Sequence, residues 1–173
     1  MIVYGETKGF EATPKNKVMV GLLGDAMTIT ATEIIREKMG GAYSPAVMVD
    51  YEILPTGKVT WMFYIGCDPT NAEKIEKAVI DIVKQYQKKG PNAVTLKKIQ
   101  EQKIAARETA MQENGFWMGM IEGSYMYNEN RDEAISGYTD LVKSVSAKDI
   151  KALAKQFLNL KNFTVAVQKP VEK

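Results

Sequence analysis

The sequence predicts an α+β fold, a two-layer sandwich with helices packed on one face of a largely antiparallel sheet. Three observations predict it. Two segments joined by a short turn alternate apolar and polar residues with period two, the mark of a β-hairpin with one apolar face. Other segments repeat their apolar residues at helical spacing. The order strand, helix, strand, strand, several helices, strand lacks the repeated βαβ units and the glycine fingerprint of a doubly wound nucleotide-binding sheet, and "GLLGDA" follows no strand.

Residues 2–4 (IVY) form a short strand that begins almost at the first residue, so the expectation is a fragment of a longer chain. A helix then opens on Thr13 as N-cap with Pro14 at its first position. Val18, Leu22, Ala26 and Ile29, with Met19, Leu23 and Met27, give it one broad apolar face. Gly21 and Gly24 lower its helix propensity and predict close packing on that side. Gly40 and Gly41 end it, since glycine readily takes the left-handed conformation of a C-cap.

From Tyr43 the period becomes two. Val47, Val49, Tyr51 and Ile53 alternate with Met48, Asp50 and Glu52, and after the turn at 55–57 (PTG) Val59, Trp61, Phe63 and Ile65 repeat the pattern. By parity Tyr43 joins the apolar face, with Pro45 interrupting the register. A helix follows with Ile75, Ala78, Val79, Ile82, Val83 and Tyr86 on one face, stopped by Gly90 and Pro91. Its Lys84, Lys88 and Lys89 read as a solvated face. Another long helix starts at Asn92 and runs to about Glu113, with further helix around "FWMGMIEGSYMY". "SAKD" is a capping-box-like start for a helix that turns Ile150, Leu153, Ala154 and Phe157 inward, and residues 163–167 (FTVAV) make the last strand.

Composition removes several function classes. The 173 residues carry 23 Lys and Arg against 21 Asp and Glu, a net charge of +2, so no global field draws the chain to nucleic acid or an anionic membrane. Continuous apolar runs fall far short of the roughly 20 residues of a membrane span. The N-terminus has neither the basic nor the long apolar region of a signal peptide. There is no histidine, and Cys67 is the single cysteine. A dedicated zinc centre and the His-based catalytic triads are therefore excluded from this chain. Cys67 reads as a strand-end packing residue, and the ten methionines as core filling.

The stretch "REKMGGAYSP" carries the candidate site. Seven residues after Ile29, Arg36 falls on the border of the apolar helix face. It can present donors at the helix end, or simply sit with Lys38 where the helix dipole favours cations. Glu33 and Glu37, one turn apart, suit either acid–base work or an ion-paired helix surface with their basic neighbours. In "ENGFW", Phe116 and Trp117 anchor a helix junction or stack on a ligand.

In order and over nearly the whole chain, "IIREKMGGAYSP", "FYIGCDPTNAEKIEKAVIDIV", "ENGFW" and "SVSAKDIKALAKQFLNLKNFTVAVQKP" resemble the C-terminal, non-zinc-binding domain of bacterial M16 metallopeptidases, the pitrilysin and insulinase family. The R-E-K-x-G-x-x-Y element is the most specific of these. The resemblance implies the metalloenzyme LuxS/M16 peptidase-like fold across residues 1–173. It further implies a partner N-terminal domain that binds zinc through an H-x-x-E-H motif, on the same polypeptide or another subunit. The C-terminal domain closes a chamber over unfolded peptides there. It supplies an arginine and a tyrosine seven residues apart, which hydrogen-bond the substrate and help stabilise the oxyanion. Those match Arg36 and Tyr43.

The expectation is a substrate-binding, chamber-closing domain of a zinc endopeptidase, binding no metal itself and inactive alone. Its expected setting, from the resemblance, is the periplasm or cell envelope. Two rivals stand: a structural or assembly subunit of the same fold, and an unrelated α+β binding module.

Overall fold

In a computed structural model, which describes residues 1–40, 42–127 and 135–169, the chain forms four strands and six α-helices among the described residues. They are β1 (Ile2–Lys8), α1 (Pro14–Ala31), β2 (Ala46–Glu52), β3 (Lys58–Tyr64), α2 (Ala72–Lys89), α3 (Ala93–Ala110), α4 (Asn114–Tyr127), α5 (Tyr138–Ser144), α6 (Ala147–Phe157) and β4 (Phe163–Ala166). α1 runs on into a π-helical segment, Thr32–Lys38, and a 3₁₀ turn, Pro69–Asn71, precedes α2.

The sheet order is β2-β3-β1-β4 with every neighbouring pair antiparallel. Its alternation is the predicted one. Val47, Val49, Val59, Trp61 and Phe63 are buried on one face, whereas Met48 and Tyr64 are exposed on the other. The helices cover the buried face, and a single core joins Val3, Leu22, Leu23, Met27, Trp61, Phe63, Ile75, Val79, Tyr86, Ile150 and Phe157. The first strand is seven residues rather than three, because β1 pairs with both β3 and β4 and lies inside the sheet.

α1 is the central helix. Its start is capped by the Thr13 hydroxyl, which accepts from the Asn16 N–H at 3.2 Å, with Pro14 at the first position. Gly24 faces β2, where an added Cβ would make ordinary contact with Val49 N at 3.4 Å. Thr28 Oγ1 lies 3.2 Å from the Val47 carbonyl oxygen. The buried set extends beyond the predicted stripe to Val20, Thr30 and Ala31, because helices cover α1 on the side away from the sheet. By length and mean hydropathy Pro14–Lys38 could cross a bilayer, although its continuous apolar runs are short, but 61% of its most apolar window is buried inside the protein. That is the behaviour of a core helix.

The remaining helices follow their signals closely. Asn92 caps α3 by accepting from Thr95 N–H at 2.8 Å. Ser146 and Asp149 close a reciprocal capping box on α6. The predicted inward residues Ile150, Leu153, Ala154 and Phe157 are all buried. α3 stops at Ala110, and a turn carries the chain into α4. There Trp117 Nε1 donates to the Met111 carbonyl at 2.8 Å, and the Arg107 guanidinium lies 4.4 Å from the Phe116 ring centre. Phe116 and Trp117 thus anchor the α3–α4 junction.

Candidate functional site

The helix that leads to Arg36 changes its hydrogen bonding before it ends. Residues Thr32–Lys38 are π-helical, and the Met39 N–H bonds back five residues to the Ile34 carbonyl at 3.1 Å. Such segments are rare and tend to occur at functional sites. Ile35 is fully buried and Ile34 packs partly against the core, which turns Glu33, Arg36, Glu37 and Lys38 to solvent. The helical-wheel placement of Arg36 on the apolar border therefore does not hold: the widened helix makes it an exposed residue. No ion pair among the described residues involves Glu33, Arg36, Glu37 or Lys38, so the expected ion-paired surface is not formed there. In a π-helix residues four apart no longer stack on one line.

Gly40 closes the segment with φ +59°, a left-handed C-cap with open space where a side chain would sit. Gly41, the other predicted stop, lies outside the described residues. The chain then returns along the end of β3, where Ala42 bridges Cys67 and Tyr43 N–H donates to the Gly66 carbonyl at 3.3 Å. Tyr43 precedes β2 and is 91% exposed, so the parity that put it on the apolar face fails. Period-two alternation applies only within a strand, and β2 begins at Ala46 after the buried Pro45.

These segments enclose an open depression of about 620 Å³, lined by Arg36, Gly40, Ala42, Tyr43, Cys67, Asp68 and Asn71. The structure thus brings together the two residues singled out from the sequence and adds three polar ones. Asp68 is held below the usual carboxylate range, first by the Thr70 hydroxyl and then by the Thr70 N–H, both of which donate to it. It is an anion that also caps the 3₁₀ turn. Cys67 is half-buried, consistent with a strand-end packing position, but it also faces this depression. Sequence reading missed Cys67, Asp68 and Asn71 as neighbours of Arg36 because they arrive through long-range pairing across the sheet end. The depression therefore presents a guanidinium and a phenol, both strong hydrogen-bond donors, beside one carboxylate.

A larger groove of about 900 Å³ lies at the opposite end of α1, between its first turn, the β2–β3 hairpin and α3 to α5. It contains neither Arg36 nor Tyr43. Among the described residues no group of three His, Cys, Asp or Glu side chains could hold a metal ion. With no histidine and one cysteine in the sequence, zinc does not fit this chain.

The sequence from residue 2 to 103, more than half of the chain, matches the family model described as the peptidase M16 inactive domain. The chain belongs to the M16 inactive-domain family. The fold of this M16 domain is shared with solved structures at low identity. The periplasmic protease PqqL from Escherichia coli superposes with a TM-score of 0.73 at 15% identity, over 91% of this chain and 17% of that one. A protease from Helicobacter pylori gives 0.75 at 13%, over 94% and 39%. The peptidase M16 inactive domain from Pseudomonas fluorescens gives 0.74 at 18%, over 98% and 42%. The M16 domain thus spans well under half of each of these chains. Comparison with curated protein sequences gives no significant match.

Proposed function

We propose that this M16 domain is the substrate-binding, chamber-closing part of a zinc-dependent endopeptidase, with Arg36 and Tyr43 donating hydrogen bonds to the bound peptide. The observation that carries this reading is their shared depression: two exposed donors, seven residues apart in sequence, line one open concavity. A guanidinium gives charge-assisted N–H donors in a fixed fork, and a phenol adds one O–H. Aimed at a peptide carbonyl, such donors stabilise the oxygen that gains negative charge as the carbonyl is attacked. The attack itself belongs to a catalytic M16 domain that holds the zinc, on the same polypeptide or a partner subunit. This chain alone is inert toward peptides. Its likeness in fold to a periplasmic protease supports a periplasmic or cell-envelope setting.

Reconstitution tests the proposal. The chain and the zinc-binding M16 domain encoded with or beside it are assayed separately and together on a fluorescein-labelled unfolded peptide. Cleavage is expected only, or at least tenfold faster, with both present. Cleavage by this chain alone would overturn the assignment. Equal rates with and without it would favour the structural-subunit alternative.

A further inference from the structure

We propose that Thr30 and Tyr86 are positioning residues whose buried hydrogen bond fixes the π-register of Thr32–Lys38 and so sets the direction in which Arg36 leaves the helix. What Arg36 does once positioned rests on the function proposed above; the register device does not.

The device begins in the run Thr28-Ile29-Thr30-Ala31-Thr32, where four of five residues are β-branched and disfavour α-helix. Each threonine hydroxyl bonds back to the carbonyl four residues earlier: Thr28 to Gly24 at 2.9 Å, Thr30 to Ala26 at 3.1 Å and Thr32 to Thr28 at 2.9 Å. Such back-bonding competes for helix carbonyls and bends helices. The Thr32 N–H is already shared between the Ile29 and Thr28 carbonyls, and the π segment starts at that residue.

Tyr86 holds this junction from α2. Its ring is 1% exposed, and its hydroxyl lies 2.8 Å from Thr30 Oγ1. Either hydroxyl can donate in this bond; with the Thr30 hydroxyl donating to the Ala26 carbonyl, Tyr86 donates to Thr30. A relay from α2 through Thr30 to the backbone of α1 results, in a place where an unmatched polar group would be costly. Beyond the junction Ile34 and Ile35 hold the widened segment to the body. An i→i−5 helix turns less per residue than an α-helix, so an α-helix continued from Ala31 would aim Arg36 in a different direction.

The test compares Thr30→Val and Tyr86→Phe, which remove the bond and keep the shape, with Thr30→Ser, which keeps the hydroxyl. Amide hydrogen exchange is followed by NMR through residues 32–39, with the interior of α2 as reference for global stability. Affinity of the assembled protease for a fluorescein-labelled unfolded peptide is measured in parallel. The first two variants are expected to speed exchange in residues 32–39 about tenfold relative to α2 and to weaken peptide binding about tenfold, with Thr30→Ser behaving as wild type. An unchanged exchange ratio in Thr30→Val and Tyr86→Phe overturns the positioning role, even if Arg36→Ala still weakens binding. Faster exchange in 32–39 with peptide affinity unmoved by these variants and by Arg36→Ala supports the register device and defeats the proposed function.

Discussion

Gly5 and Trp61 are cross-strand partners in the sheet, and a Cβ added to Gly5 would come within 2.5 Å of the indole Cζ2 and Nε1. The glycine is what allows the Trp61 ring to lie over β1, fully buried. Gly5→Ala should therefore destabilise the domain by about 1–3 kcal/mol through overpacking. Urea unfolding of Gly5→Ala, Trp61→Phe and the double variant checks it: the double variant should be more stable than the sum of the single effects predicts. Trp61 Nε1 has no partner among the described residues, so Trp61→Phe also removes a buried unmatched donor. Additive effects would mean that the strand moves aside instead.

For the depression, Arg36→Ala or Tyr43→Phe in the assembled protease should lower turnover about 10²-fold, the effect expected for loss of one donor to a developing oxyanion. Zinc content should not change. Both side chains are exposed, so urea unfolding should shift by no more than about 0.5 kcal/mol. Wild-type turnover from both variants would return them to a helix-end and loop role.

Cys67 offers an independent check, because it lines the same depression and is the chain's one thiol. A maleimide fluorophore on Cys67 should change its emission on addition of unfolded peptide to the assembled protease, and should slow cleavage. Cys67→Ser, treated with the same reagent, should keep full activity. Labelling without effect on cleavage would remove the depression from the peptide's path.

Tyr86 predicts the alkaline limb of stability. Burial pushes its hydroxyl up to about 12. The unfolded chain ionises this group near the ordinary value of about 10, while the folded one keeps it neutral. Its contribution is therefore complete below about pH 10 and is lost as pH rises toward about 12, a change of order 2–3 kcal/mol. Urea midpoints measured from pH 8 to 11.5 should fall less steeply for Tyr86→Phe than for wild type. Parallel slopes would show that Tyr86 ionises freely in the fold.

Most of the fold was legible because its signals are local. Thr13-Pro14, Asn92 and Ser146 with Asp149 start helices through side chains within four residues of the backbone groups they bond. The alternation through Val47 to Val49 and Val59 to Phe63 needs only the pleat. What failed was extrapolation past an element's end. Arg36 was placed by a wheel that stops applying at Thr32, and Tyr43 by a parity that starts only at Ala46. The three threonines before the π segment are visible in the sequence, but the bond that joins Thr30 to Tyr86 spans 56 residues. The nearness of Arg36 to Cys67 and Asp68 likewise follows from a bridge between Ala42 and Cys67 that no short-range pattern encodes.

The lining of the depression bears on how the proposed enzyme should respond to pH. It contains an arginine, a tyrosine, a cysteine, an aspartate already held below its usual range, and no imidazole. Histidine is the side chain whose ordinary titration falls between pH 5 and 8, and this chain has none. The depression therefore carries no imidazole whose charge would switch across that range. Under the proposed function, a rise or fall in peptide cleavage between pH 5 and 7.5 would report on the zinc-bearing domain or on the substrate, and not on a histidine of this chain.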